Sequence, residues 1–177
     1  VTDTFTIAVA NTNDAPTITS SAVLTATEDA AYTYTVTASD ADSDTLTMTG
    51  TTVPGWATFT ASTGVLAGTP LNADVGDNSV VITVSDGTAS VTDTFTIAVA
   101  NANDAPTITS SAVLTATEDA AYTYTVTASD ADSDTLTMTG TTVPGWATFT
   151  ASTGVLAGTP LNADVGANSV VITVSDG

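Results

Sequence analysis

The sequence predicts an all-β chain of tandem Greek-key β-sandwiches. Three observations carry that prediction: a long internal repeat, apolar residues that alternate with threonine, and turn residues at short spacing. The repeat dominates. Residues 1–87 superpose on residues 91–177 with two differences, Thr12 against Ala102 and Asp77 against Ala167. A unit of this length is too long for one turn of a solenoid and is the size of one sandwich with its own small core. Residues 1–10 therefore read as the final strand of a preceding repeat whose body is absent, residues 11–100 as a complete repeat, and residues 101–177 as a repeat lacking its final strand.

The alternation has a period of two. Tyr32, Tyr34 and Val36 alternate with Thr33, Thr35 and Thr37, and Leu46 and Met48 with Thr45, Thr47 and Thr49. Val80, Ile82 and Val84 repeat the pattern, as do Phe95, Ile97 and Val99 against Thr94, Thr96 and Ala98. Such runs predict half-buried antiparallel strands. Threonine suits the solvent face because its branched Cβ favours extended backbone while its hydroxyl stays hydrated. Pro54-Gly55, Thr63-Gly64, Gly68-Thr69-Pro70, Val75-Gly76 and Asp86-Gly87 divide the runs into the short strands of a sandwich. Trp56, close to Phe59, Val65 and Leu66, reads as core, with an aromatic sugar platform as the competing reading.

Composition narrows the function. The 177 residues include 19 acidic side chains and no Lys, Arg or His, a formal net charge of −19. Without Lys or Arg nothing displaces counterions from a phosphate backbone or meets an anionic bilayer, so nucleic acid and membrane insertion are excluded as modes of action. Histidine bases, Schiff-base lysines and cysteine nucleophiles are absent, and the clustered aspartates with two glutamates show no sign of a cleft. The expectation is a protein that is not an enzyme. Disulfides and thiolate metal sites are ruled out by the absence of Cys. No apolar run is long enough for a membrane helix, and the N-terminus does not have the form of a signal peptide. An internal fragment of a larger extracellular or cell-surface precursor would look like this.

The carboxylates gather in loops. Asp40, Asp42 and Asp44 follow the Tyr32 strand, Asp86 ends the Val80 strand, and Asn11, Asn13 and Asp14 precede Pro16. In a sandwich of immunoglobulin-like order the second and sixth strands run the same way, which brings these loops to one pole. The second repeat carries Asn101, Asn103, Asp104, Asp130, Asp132, Asp134 and Asp176 in the same places. With no cationic side chain, the counter-ion must come from solvent, and calcium suits 6–8 hard oxygens in flexible loops better than magnesium does. Glu28 and its copy Glu118 sit at the opposite pole, so Glu28, with Asp29 and Asp74, should approach the linker Asn101, Asn103 and Asp104 and, through it, Asp130, Asp132 and Asp176. Asp86-Gly87 also suits a plain turn, and Asn13-Asp14 a plain linker. Asp77 is Ala167 in the second repeat and is left out of the site. An EF-hand loop is not indicated, because the central Gly and closing Glu are missing after Asp40.

Asn13-Asp14-Ala15-Pro16, Thr27-Glu28-Asp29, Asp40-Ala41-Asp42, Gly64-Val65-Leu66-Ala67-Gly68-Thr69-Pro70 and Val84-Ser85-Asp86-Gly87 resemble the cadherin-like repeats of large bacterial surface and secreted proteins. These include dystroglycan-type cadherin-like modules and the immunoglobulin-like repeats of adhesins. The resemblance covers the whole repeat and implies tandem immunoglobulin/cadherin-like sandwiches. It also implies calcium held by Glu28 of one module, the linker Asn101, Asn103 and Asp104, and Asp130, Asp132 and Asp176 of the next. The acidic motif expected between the fifth and sixth strands is reduced to Asn72-Ala73-Asp74, which implies one or two ions per linker rather than three.

Three roles follow as expectations. The first is a calcium-rigidified stalk module of an adhesin-like protein. The second is a filament subunit whose partners are identical repeats, completed head to tail by donation of residues 1–10. The third is a carbohydrate-binding module with a polysaccharide partner.

Overall fold

A computed structural model describes residues 1–177, and the chain divides into two compact units, Val1–Ala102 and Asn103–Gly177. No helix is long and apolar enough to cross a membrane.

The first unit holds β1 (Thr17–Ile18), β2 (Thr25–Thr27), β3 (Tyr32–Thr35), β4 (Ala38–Ser39), β5 (Thr47–Thr52), β6 (Ala57–Thr60), β7 (Val65–Gly68), β8 (Gly76–Ser85) and β9 (Ser90–Ala100). One sheet runs β2-β9-β8-β5 and the other β3-β7-β6, with β1 and β4 paired beside them. The alternation of the sequence explains the layering. In β3 the two tyrosines point inward and are buried while the threonines between them are exposed. Val36, Leu66, Val80, Ile82, Val84, Ile97 and Val99 complete the core. Trp56 packs partly buried against it, edge-on to Tyr32 with ring centroids 5.5 Å apart, and its indole N–H donates to Asn78 at 2.9 Å.

Strand β9 has neighbours on both sides. It runs antiparallel to β8 in a continuous register from Ser85↔Ser90 to Gly76↔Val99. Along its other edge β2 lies parallel, with Thr25 opposite Ala98 and Thr27 opposite Ala100. Its inward side chains fill the sandwich: Ile97 and Val99 are buried, and Phe95 meets Tyr34 edge-on at 5.6 Å. Gly64 makes the tight approach at the start of β7 possible. Its φ is +69°, and a Cβ there would press on the Val36 carbonyl oxygen.

Residues Val1–Ala10 form no strand, and Phe5, Ile7 and Val9 are 75%, 77% and 90% exposed.

The second unit repeats much of this plan in β10 (Thr107–Ile108), β11 (Tyr122–Thr125), β12 (Ala128–Ser129), β13 (Thr137–Thr142), β14 (Ala147–Thr150), β15 (Val155–Gly158) and β16 (Val171–Ser175). Its sheets are β11-β15-β14, β13-β16 and β10-β12. No strand occupies the place that β9 fills in the first unit, and the physical effect is visible in the neighbours. The residues corresponding to β2 are not paired, and β16 has 5 residues where β8 has 10. Only Val126 and Leu156 are buried hydrophobics there. Val170 is 41% exposed, whereas its counterpart Val80 is fully buried.

Candidate cation site

In the first unit the chain leaves β4 into Asp40, whose Oδ1 accepts the backbone N–H of Asp42 at 2.8 Å and of Asp44 at 3.2 Å. Ser43 takes a positive φ of 64° to close this turn. One aspartate oxygen thus organises the loop that carries the other two. Asp42 Oδ2 accepts the N–H of Asp14 at 2.7 Å, and the Asn13 amide donates to Asp86 Oδ2 at 3.0 Å. Asn13, Asp14, Asp40, Asp42, Asp44 and Asp86 are brought together, while Asn11 stands exposed before them.

Asp86 also serves its own turn: its Oδ1 accepts the N–H groups of Thr88 and Ala89, each at 2.6 Å. The Ala89 N–H, then the Asn13 amide and the Thr88 N–H, hold its carboxyl below the ordinary aspartate range. The turn and the cluster therefore share this one residue.

Carboxylate oxygens of Asp40, Asp42 and Asp44 lie within 4.8 Å of one another. Unit charges at that separation repel by about 3–4 kcal/mol per pair at an effective dielectric near 20. Asp40 Oδ2 is buried with no hydrogen-bond partner. A divalent cation would answer both conditions, by neutralising the repulsion and meeting the open oxygen.

The second unit builds the same cluster. Asn103 donates to Asp176 Oδ2 at 2.8 Å, and the Asp104 N–H to Asp132 Oδ2 at 2.6 Å. Asp130 Oδ1 accepts from the N–H groups of Asp132 and Asp134 at 2.9 and 3.2 Å. Oxygens of Asp130, Asp132 and Asp134 again lie within 4.8 Å, and Asp130 Oδ2 is buried without a partner.

Glu28 follows β2 on a turn in which Asp29 has a φ of 58° and donates its N–H to the Pro70 carbonyl at 2.8 Å. The Glu28 side chain is 1% exposed. Its Oε1 accepts the backbone N–H of Ala102 at 2.7 Å, which ties the carboxylate to the residues leaving β9. Its Oε2 is buried with no hydrogen-bond partner. Asn101 is exposed beside it. Asp74 does not join them: its Oδ2 accepts the N–H of Leu71 at 2.9 Å and closes a 3-10 turn over Asn72–Asp74. Glu118, in the second unit, is exposed. The Ala102 N–H is the one participant that the sequence does not announce, since a backbone donor leaves no mark on residue type. Asn78, which fastens Trp56 and donates to the Asp74 carbonyl at 2.8 Å, is equally silent.

Tyr32, on β3, is part of the buried core. Its hydroxyl donates to the Val23 carbonyl at 2.8 Å, and burial, then the neighbouring Tyr34, push its pKa up to about 12. The raised value favours the neutral phenol in the fold. The stability it contributes is complete below the unfolded value near 10 and is lost as pH rises through about 12. In an alkaline titration followed by tyrosinate absorbance, Tyr32 should ionise late and together with unfolding, and Tyr32→Phe should reduce the loss of stability across that window.

The two repeats match the profile of the family described as Putative Ig domain, over residues 15–100 and 105–177. No curated protein matches the chain. Among solved structures, it is similar to human protocadherin-24 EC1-2, with 19% identity over 93% of this chain and 94% of that one and a TM-score of 0.50. It is also similar to protocadherin gammaB7 EC3-6, with 15% identity over 93% of this chain and 49% of that one and the same TM-score of 0.50. An endo-fucoidan hydrolase of glycoside hydrolase family 107 shares 32% identity over 92% of this chain, at a TM-score of 0.45. The chain covers only 27% of that enzyme. At these identities the protocadherins show the fold, an immunoglobulin/cadherin-like β-sandwich.

Proposed function

Because the chain belongs to the Putative Ig domain family through both of its repeats, we propose that it is a calcium-stiffened extension segment of an extracellular, adhesin-like protein, with no catalytic role. The observation that carries this reading is the Glu28 carboxylate: buried, bonded through one oxygen to Ala102, open at the other, in a chain with no cationic side chain. A buried charge with an unused oxygen costs several kcal/mol unless an ion meets it. Glu28, Asn101, Asn103 and Asp104, with Asp130, Asp132 and Asp176, would supply the ligands. Covalent continuity supports this assignment, since Asn103 and Asp104 follow directly on the residue that Glu28 binds. Asp40, Asp42, Asp44, Asp86, Asn13 and Asp14 would serve a preceding module in the same way. Calcium then converts a flexible joint into a stiff one, which is what a module that projects a distal domain requires.

Small-angle scattering of residues 1–177 tests the reading. In calcium the maximum dimension should be sharply defined, and in excess chelator the distribution of distances should broaden. Superimposable profiles in the two conditions would sink the proposal.

A further inference from the structure

In the first unit, residues 21–31 run between two fixed points. Before them, Ser20 donates its N–H to the Thr37 carbonyl at 3.3 Å, and its hydroxyl meets the Tyr34 hydroxyl at 2.9 Å. After them, Tyr32 belongs to the buried core. Between these points lies β2, three residues long and at the edge of its sheet. We infer that residues 21–31 are a cation-gated strap, closed on β9 when an ion meets Glu28 and released when none does. The inference rests on the reading of Glu28 as a cation ligand and adds what the ion does inside the unit.

Little apolar burial holds the strap. Ala22 and Ala26 are its side chains packed, partly buried, against the core, while Val23 and Leu24 are 41% and 52% exposed. A hollow of about 330 Å³, lined among others by Val23, Ala26, Ala31 and Tyr32, leaves the strap loosely packed toward the start of β3. Two small side chains give a weak hydrophobic anchor, so closure depends on hydrogen bonds. Ala98 donates its N–H to the Leu24 carbonyl at 2.9 Å, Glu28 to the Ala100 carbonyl at 3.0 Å and Asp29 to the Pro70 carbonyl at 2.8 Å. The Tyr32 hydroxyl donates to the Val23 carbonyl at 2.8 Å.

Against these bonds stands the Glu28 carboxylate, which the strap itself carries. Closing the strap takes the carboxylate to 1% exposure and gives it one hydrogen bond, from the Ala102 N–H at 2.7 Å, while Oε2 has none. No cationic side chain exists to offset the charge. Opening rehydrates both oxygens, and water replaces the backbone bonds that are lost, so each of them opposes opening only modestly. An ion on Oε2 reverses the balance, because the charge is then met inside the closed form. The ion selects that form, where the Ala102 N–H fixes the carboxylate. Occupancy and closure are therefore one linked equilibrium, and the open fraction lowers the apparent affinity for the ion.

Amide hydrogen exchange on residues 1–177, resolved residue by residue, tests the strap. In excess chelator the N–H groups of Glu28, Asp29, Ala98 and Ala102 should exchange faster than in calcium by about tenfold or more, while the amides that join β3 to β7 keep their rates. Glu28→Gln removes the charge and keeps an acceptor for the Ala102 N–H, so its strap amides should be slow in both conditions. Native and Glu28→Gln chains that exchange alike in chelator would overturn the inference whatever calcium does, and the scattering test of the joint would stand apart from that result. Strap amides that are fast in the native chain in both conditions, yet slow in Glu28→Gln, would overturn the reading of Glu28 as a cation ligand and the gate with it.

Discussion

Glu28→Gln should change the sign of its effect on stability with calcium. In excess chelator the substitution removes a buried charge whose Oε2 has no partner, while the amide carbonyl still accepts the Ala102 N–H, and the variant should be more stable than the native chain by about 1–3 kcal/mol. In saturating calcium the native chain gains the free energy of binding, about 2.7 kcal/mol when free calcium is a hundredfold above its dissociation constant. The variant loses a charged ligand and most of that gain, so it becomes the less stable of the two. Denaturant titrations in both conditions give the comparison directly. Glu118→Gln, at an exposed side chain, should stay within about 0.5 kcal/mol of the native chain in both. A shift of the same sign for Glu28→Gln with and without calcium would show that the open oxygen is not a cation ligand.

The two copies of one core isoleucine should respond very differently to truncation. Ile82 is fully buried on β8, beside β9, and Ile82→Ala should cost about 2–5 kcal/mol, a transfer term plus a cavity that the rigid sheet does not close. Ile172 has the same sequence neighbours but lies half-buried in an open groove. Its truncation deepens a space that water already enters and should cost less than about 1.5 kcal/mol. Calorimetry that resolves the two units as separate transitions gives the comparison. Equal costs would mean that the second core is closed in solution.

These results bear on how much of the molecule can be read from the chain alone. The strands around Tyr32 and Val80 were legible because burial on one face imposes a period of two on residue type, and nothing in the core competes with it. The gathering of Asp40, Asp42, Asp44 and Asp86 was legible too, since sandwich connectivity sends those loops to one end. The role of Asp74 was not. Its spacing suits either a ligand or a cap, and only the fold shows its carboxylate turned back onto the Leu71 N–H. The burial of Glu28 was hidden as well, because it depends on a backbone amide far along the chain, at Ala102. The parallel pairing of Thr25–Thr27 with β9 was equally hidden, because three residues carry too little pattern to declare a partner.

That parallel pairing has a mechanical consequence. A tension applied through the chain enters the first unit near β1 and β2 and leaves it at the end of β9. Because β2 and β9 run the same way, the load drags them along one another in opposite directions. The bonds between them, including Ala98 N–H to the Leu24 carbonyl at 2.9 Å and Glu28 N–H to the Ala100 carbonyl at 3.0 Å, are stretched together rather than one after another. The Glu28 carboxylate on the Ala102 N–H lies in line with them as a further bond at the point where force leaves the strand. A unit wired in this way yields by shear, at higher force than one that unzips.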